Sequence, residues 1–186
     1  MAKLIYVTNV SLDGYIEDEF GSFDWTEPDD EVFAFINDLV RPVGTFLYGR
    51  RLYDTMAVWE TDPALAAGSE LLADFAAVWQ AADKVVYSTT MDVVSTAKTR
   101  IERTFDPASV RDLKASAGSD LMVGGAHLAG HAFNAGLVDE CQLFVHPVLV
   151  GGGKPAFPSD TRADLEPLDH RRLSNGVMYL RYGIPT

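Results

Sequence analysis

Three short stretches carry small or hydroxyl residues directly after apolar runs. They are Gly49-Arg50-Arg51 after Tyr48, Ser88-Thr89-Thr90 after Tyr87, and Gly124-Gly125-Ala126 after Val123. Such strand ends expose backbone N–H groups, and where a helix follows they can face an anion. Arg50 and Arg51 add two permanent cations that suit phosphate oxygens, an adenosine 2′-phosphate among them. Each stretch alone also reads as a tight turn; together they favour a phosphorylated nucleotide. The two standard nucleotide signatures, G-x-G-x-x-G and G-x-x-x-x-G-K-[ST], are absent.

Other chemistry-bearing types are sparse. His127 and His131 share a helix face four residues apart, the spacing of a metal pair, but no Glu follows His127 and no third ligand stands near them. We read them as surface or cofactor-lining histidines and expect no metal. Cys141 alternates with Leu143 and Val145, which suits a buried strand cysteine better than a nucleophile. Asp13, before Gly14, is either a plain turn residue or part of a substrate loop. Gly151-Gly152-Gly153-Lys154 is either an active-site flap or an ordinary loop.

These residues need a scaffold. Leu4 to Val10 reads as a strand ending at Asp13-Gly14, followed by a loop to Trp25. Thr26 with Asp29 resembles a capping box, Pro28 suits a first helical turn, and Val32, Phe33, Ile36, Leu39 and Val40 recur at helical spacing. Strands follow at Thr45–Tyr48, Lys84–Tyr87 and Leu121–Val123, separated by a helix through Leu71–Ala82 and one from Asp106-Pro107 to Ser116. A helix from Ala126 to Ala135 stops at Gly136, and Leu143–Val150 is strand-like. The tail reads as a hairpin around Asn175-Gly176. Strands alternating with helices, then a β-rich tail, predict an α/β fold: a mostly parallel central sheet flanked by helices, with antiparallel C-terminal strands.

No repeat or low-complexity linker divides the 186 residues, so residues 1–186 read as one domain. Acidic residues outnumber basic ones 27 to 15, a net charge of −12, which disfavours nucleic acid and anionic membrane as partners. One cysteine excludes a disulfide framework or a multi-cysteine zinc cluster. No run approaches a membrane span, and the N-terminus shows no signal-peptide pattern. The expectation is a cytoplasmic protein.

The motifs resemble one family over nearly the whole chain and in matching order. Ser11-Leu12-Asp13-Gly14-Tyr15-Ile16, Leu47-Tyr48-Gly49-Arg50-Arg51, Met122-Val123-Gly124-Gly125-Ala126 and Ala135-Gly136-Leu137-Val138-Asp139-Glu140, with Pro147 and Gly151-Gly152-Gly153, are similar to the dihydrofolate-reductase-like superfamily. The closer likeness is to the branch with the C-terminal reductase domain of riboflavin biosynthesis. The resemblance implies an NADPH site and a homodimer. By it, Gly49, Arg50 and Arg51 hold cofactor phosphates, and Ser88 and Thr89 contact the 2′-phosphate. Gly124, Gly125 and Ala126 lie under the pyrophosphate, with His127 and Leu128 at the helix start. Asp13 falls in the loop passing the nicotinamide and substrate, and Trp25 occupies the place of a loop tryptophan near the nicotinamide. Counting from Trp25 through Pro28 puts Asp30 where dihydrofolate reductases keep their single acid, with Asp29 the neighbouring candidate. Asp30 would help protonate a ring nitrogen as hydride reaches the adjacent carbon, or else only stabilise its helix.

Several departures shape the expected substrate. Val7 stands where the riboflavin reductases carry Lys, and their arginine-rich segment for a ribose phosphate has no counterpart after Val86. An upstream zinc deaminase pattern is absent, as is an evident arginine for a folate tail. The resemblance therefore implies an NADPH-dependent reductase of a small pterin- or pyrimidine-like nitrogen heterocycle. The alternatives are a 5-amino-6-(5-phosphoribosylamino)uracil reductase, or a nucleotide-binding protein without catalysis.

Overall fold

In the computed structural model, which describes residues 1–185, the apolar runs become strands. In chain order they are β1 (Leu4–Ser11), β2 (Tyr15–Glu17), β3 (Val43–Gly49), β4 (Asp83–Tyr87), β5 (Thr99–Glu102), β6 (Asp120–Gly124), β7 (Glu140–His146), β8 (Lys154–Pro155), β9 (Glu166–Arg172) and β10 (Met178–Gly183). The helices are α1 (Asp30–Val40), α2 (Arg50–Met56), α3 (Val58–Thr61), α4 (Pro63–Ala66), α5 (Glu70–Ala81), α6 (Pro107–Ser116) and α7 (Ala126–Asn134).

Eight strands form one sheet in the order β5-β4-β3-β6-β1-β7-β10-β9. The first six run parallel, and β10 pairs antiparallel with both β7 and β9, so the C-terminal pairings are antiparallel as the alternation of elements predicts. Period-two alternation splits the core between its faces. Leu47, Val85, Leu121 and Val123 pack with Val110 of α6 and Leu128, Ala129 and Ala132 of α7. Their neighbours Phe46, Tyr48, Val86 and Met122 pack with Val40 of α1, Tyr53 of α2, and Phe75 and Trp79 of α5. Burial on both sides explains why these strands read as continuous apolar runs. From β1 the chain crosses to β3, continues outward, and returns to lay β6 between them. The carboxyl ends of β1, β6 and β3 therefore surround a topological switch point, where open α/β sheets bind ligands.

Local chemistry sets most helix starts. Asp106 accepts N–H bonds from Ala108 and Ser109, with Pro107 in the first turn as expected. The start of α1 differs. The Thr26 hydroxyl donates to the Phe23 carbonyl and closes a 3₁₀ turn over Asp24–Thr26. The cap is Asp29, which accepts from Val32 N at 2.9 Å, so Pro28 precedes the helix rather than opening it.

The expected strand Leu143–Val150 is instead Glu140–His146, ending where Pro147 offers no N–H. Its early start was masked by the charge of Glu140, which is buried against Arg181 (2.7 Å) and Lys3 (2.5 Å). Burial alone would raise that carboxyl, but the two cations outweigh it and hold it at about 2. β5 at the sheet edge and the two-stranded β2–β8 sheet are further strands that the sequence pattern did not signal.

Candidate active site

Two hollows open at the switch point. The first, about 780 Å³, lies among the β3–α2 turn, the loop after β4 and the start of α7. Gly49, Arg50, Arg51, Ser88, Thr89, Gly125, His127 and Leu128 all line it, so the structure brings these sequence-derived candidates together. A Cβ at Gly49 or Gly125 would meet nothing within 4 Å, which leaves backbone bare toward the cleft. Gly125 also has φ +87°, a conformation that favours glycine, and α7 begins immediately after it.

The cations of this cleft are not equivalent. Arg50 donates to Thr90 Oγ1 at 2.8 Å and lies 3.6 Å from Asp54, while Arg51 makes no ion pair among the described residues. Arg103, missed in the sequence, spends its guanidinium on the carbonyls of Ser88 (3.2 Å) and Met91 (2.6 Å) and on Asp92 (3.1 Å). It therefore shapes the loop. Ser88 does the same, its Oγ accepting from Thr90 N and Met91 N, which leaves the Thr89 hydroxyl as the freer of the expected pair. Lys154, the last residue of the Gly151-Gly152-Gly153-Lys154 segment, reaches this cleft while paired with Glu17 at 2.6 Å.

The second hollow, about 620 Å³, has a different character. Val7, Phe33, Ile36, Phe46, Met122 and Phe144 are among its walls, with Thr8, Asn9, Asp24 and Glu27 supplying polar groups. It adjoins the first hollow: Leu52 lines both, and consecutive Gly124 and Gly125 line one each. A Cβ at Gly124 would overlap the tip of Leu52 and crowd the Tyr48 ring, so Leu52 would have to shift where the hollows meet. Ala126 lies aside, in a separate hollow of about 330 Å³ that His127 also lines.

The three residues expected to act on substrate stand elsewhere. Asp30, the first residue of α1, is exposed and lines neither hollow. The 3₁₀ turn delays the helix, so Asp24 and Glu27 are the carboxylates that reach the cavity, and Asp29 is engaged as the cap. Asp13 accepts from Ser11 Oγ (2.6 Å), Gly151 N (2.8 Å) and Val150 N (3.2 Å), and the Ser11 bond foremost holds its carboxyl below the usual range. It straps one loop to another. β2–β8 pairing and the Glu17–Lys154 pair continue that strap, so the glycine-rich loop is tied down. Trp25 packs edge-on against His146 with ring centroids 5.5 Å apart, and its buried Nε1 has no hydrogen-bond partner among the described residues.

His146 itself was not foreseen. It is buried at the end of β7, and its Nε2 lies 2.9 Å from Oδ1 of Asn9, a cavity residue 137 positions away. Burial pushes its pKa down, favouring the neutral ring. In the unfolded chain the imidazole titrates near about 6.5. Below that pH the unfolded state binds the extra proton first, so stability falls as pH drops from about 7 toward the depressed folded pKa. The slope should approach about 1.4 kcal/mol per pH unit at most. Urea unfolding of His146→Gln at pH 7 and pH 5 should show a flatter dependence than the parent; an unchanged slope would refute the assignment.

With this geometry in place, known proteins provide comparison. The family model for the RibD C-terminal domain matches residues 2–179. The uncharacterized protein YyaP of Bacillus subtilis (strain 168) is 30% identical over 182 residues, 97% of this chain and 94% of that protein. A putative riboflavin biosynthesis protein from Shewanella sp. PV-4 superposes with a TM-score of 0.77 at 22% identity, covering 100% of both chains. A pyrimidine reductase-like protein from Corynebacterium diphtheriae gives 0.66 at 12% identity, covering 100% of this chain and 92% of that one. The deaminase/5-amino-6-(5-phosphoribosylamino)uracil reductase of Thermotoga maritima gives 0.65 at 14%, covering 99% of this chain and 57% of the other. The fold is the dihydrofolate-reductase-like α/β fold expected from the motifs. By its sequence match and by the sheet that carries its paired hollows, the chain belongs to the RibD C-terminal domain family.

Proposed function

We propose that the protein is an NADPH-dependent reductase that delivers hydride to a small nitrogen heterocycle. The observation that carries this reading is the junction at Gly124-Gly125 of a cationic, glycine-lined cleft with an apolar cavity. The cleft's residues fit a dinucleotide: bare backbone at Gly49 and Gly125, Arg50 and Arg51 for phosphate charge, and Thr89 for a further hydrogen bond. When bound, the cofactor supplies the hydride. The chain supplies orientation through Gly124, apolar walls, and the carboxylates Asp24 and Glu27 at the cavity, which would accept a ring N–H while the proton comes from solvent. Asp30 has no part in this version of the mechanism. A cytoplasmic place of action accompanies this reading.

Calorimetric titration tests the cofactor. NADPH should bind about ten to a hundred times more tightly than NADH, the worth of a charge-assisted contact to the 2′-phosphate. Equal affinities would sink the assignment. Family membership favours a second reading, reduction of 5-amino-6-(5-phosphoribosylamino)uracil. Against it, Val7 presents an apolar wall where the riboflavin reductases carry Lys. A nucleotide-binding protein without catalysis would hold NADPH and never oxidise it with any heterocycle supplied.

We also propose a homodimer, on different grounds from those in the sequence. The edge strand β9 is exposed along its whole length, Leu168 included, and offers a partner copy an unpaired edge. Light scattering should report twice the monomer mass; a monomer at all concentrations would refute it.

A further inference from the structure

We infer that the apolar cavity takes a flat ring compound that is uncharged or cationic and carries neither phosphate nor carboxylate. The inference rests on reading the adjoining cleft as the cofactor's site, and it names the class of substrate that the remaining space accepts. Three features of the cavity support it.

The first is its walls. Phe33, Phe46, Met122 and Phe144 bound a hollow of about 620 Å³, room enough for a planar ring held between aromatic and thioether surfaces. The second is charge. Among the described lining residues no Lys, Arg or His is present, and the acidic side chains are Asp24 and Glu27. An anion entering here would lose its hydration with no cation to replace it and would meet two like charges. The basic side chains nearby, Arg50, Arg51 and Lys154, line the other cleft. A ring bearing a phosphate would have to leave that group in an apolar slot or beside the carboxylates, and either position is costly.

The third is the orientation of Asn9. With the proton of neutral His146 on Nε2, its N–H donates to Asn9 Oδ1 at 2.9 Å. That bond occupies the amide oxygen and leaves the Asn9 NH₂ group to donate into the cavity. It would meet a ring carbonyl or an unprotonated ring nitrogen, acceptors that an uncharged heterocycle carries without being an anion. His146, which does not itself line the cavity, thus acts as a positioning residue for Asn9 from the end of β7.

The test uses the full chain and two probes of nearly the same shape, the uncharged quinoxaline-2-carboxamide and the anionic quinoxaline-2-carboxylate, which lacks the amide's N–H donors, followed by quenching of tryptophan fluorescence. The carboxamide should bind at least about tenfold more tightly. An Asp24→Asn, Glu27→Gln double variant should narrow the ratio to about threefold or less, because the repulsion is gone. The same pair is run on Arg50→Ala, Arg51→Ala protein, so that an anion captured in the cationic cleft is recognised as such. Equal or tighter binding of the carboxylate in that variant would overturn the inference, as would failure of both rings to bind at millimolar concentration. The two proposals fail separately. Loss of NADPH binding with discrimination intact removes the cofactor reading and leaves the cavity's preference standing. NADPH binding without discrimination removes only the preference.

Discussion

Replacing Arg50 and Arg51 together by alanine is expected to weaken NADPH binding by about ten- to a hundredfold while changing NADH binding far less. Both side chains line the cationic cleft beside the bare backbone of Gly49 and Gly125. Arg51 has no ion-pair partner among the described residues. The Arg50–Asp54 pair is half exposed at 3.6 Å, and such surface pairs contribute little to stability. Folding should therefore be nearly unaffected, and the loss should appear in affinity. It should also shrink as salt is raised, because exposed charges are screened over a Debye length of roughly 8–10 Å. Calorimetry with both cofactors at two salt concentrations is the measurement. A double variant that still prefers NADPH as strongly as the parent would shift the recognition to other polar groups of the cleft, Lys154 and Thr89 first among them.

Gly153→Ala should be the most damaging small substitution in the loops around the site. Gly153 has φ +133°, and a Cβ there would overlap the Glu17 carbonyl oxygen and the Asp18 backbone. Those atoms are main chain and cannot rotate away, so β8 would have to separate from β2 and carry Lys154 off Glu17. Backbone strain and overpacking together suggest a loss of about 3 kcal/mol. Gly151→Ala provides the internal control, since Gly151 also has positive φ (+79°) but open space around the added atom. It should cost about 1–2 kcal/mol from backbone strain alone. Urea unfolding of the two variants decides the matter, and equal losses would show that the close approach to Glu17 is not what demands glycine. Because Lys154 lines the cationic cleft, Gly153→Ala should weaken NADPH binding as well, and Gly151→Ala should not.

The amino-acid sequence alone determined what depends on neighbours along the chain. Continuous apolar runs located β1, β3, β4 and β6, because strands buried on both faces need no polar alternation. Asp106-Pro107 and Gly136 marked helix ends through capping and left-handed backbone. The turns at Gly49, Ser88 and Gly124-Gly125 pointed to one cleft because successive parallel strands deliver their carboxyl ends to the same side of a sheet. The tertiary structure alone decided what depends on contacts across the chain. Trp25 packs against His146 at the far end of β7, which holds the segment before α1 and brings Asp24 and Glu27, rather than Asp30, to the cavity. Glu140 reads as a strand breaker until Lys3 and Arg181 reach it from 137 and 41 residues away. His146 meets Asn9 only through the register of β1 against β7, and Lys154 enters the cleft only because β8 pairs with β2. Each of these is a polar group whose energy is set by a distant partner, and no local propensity or periodicity carries that information.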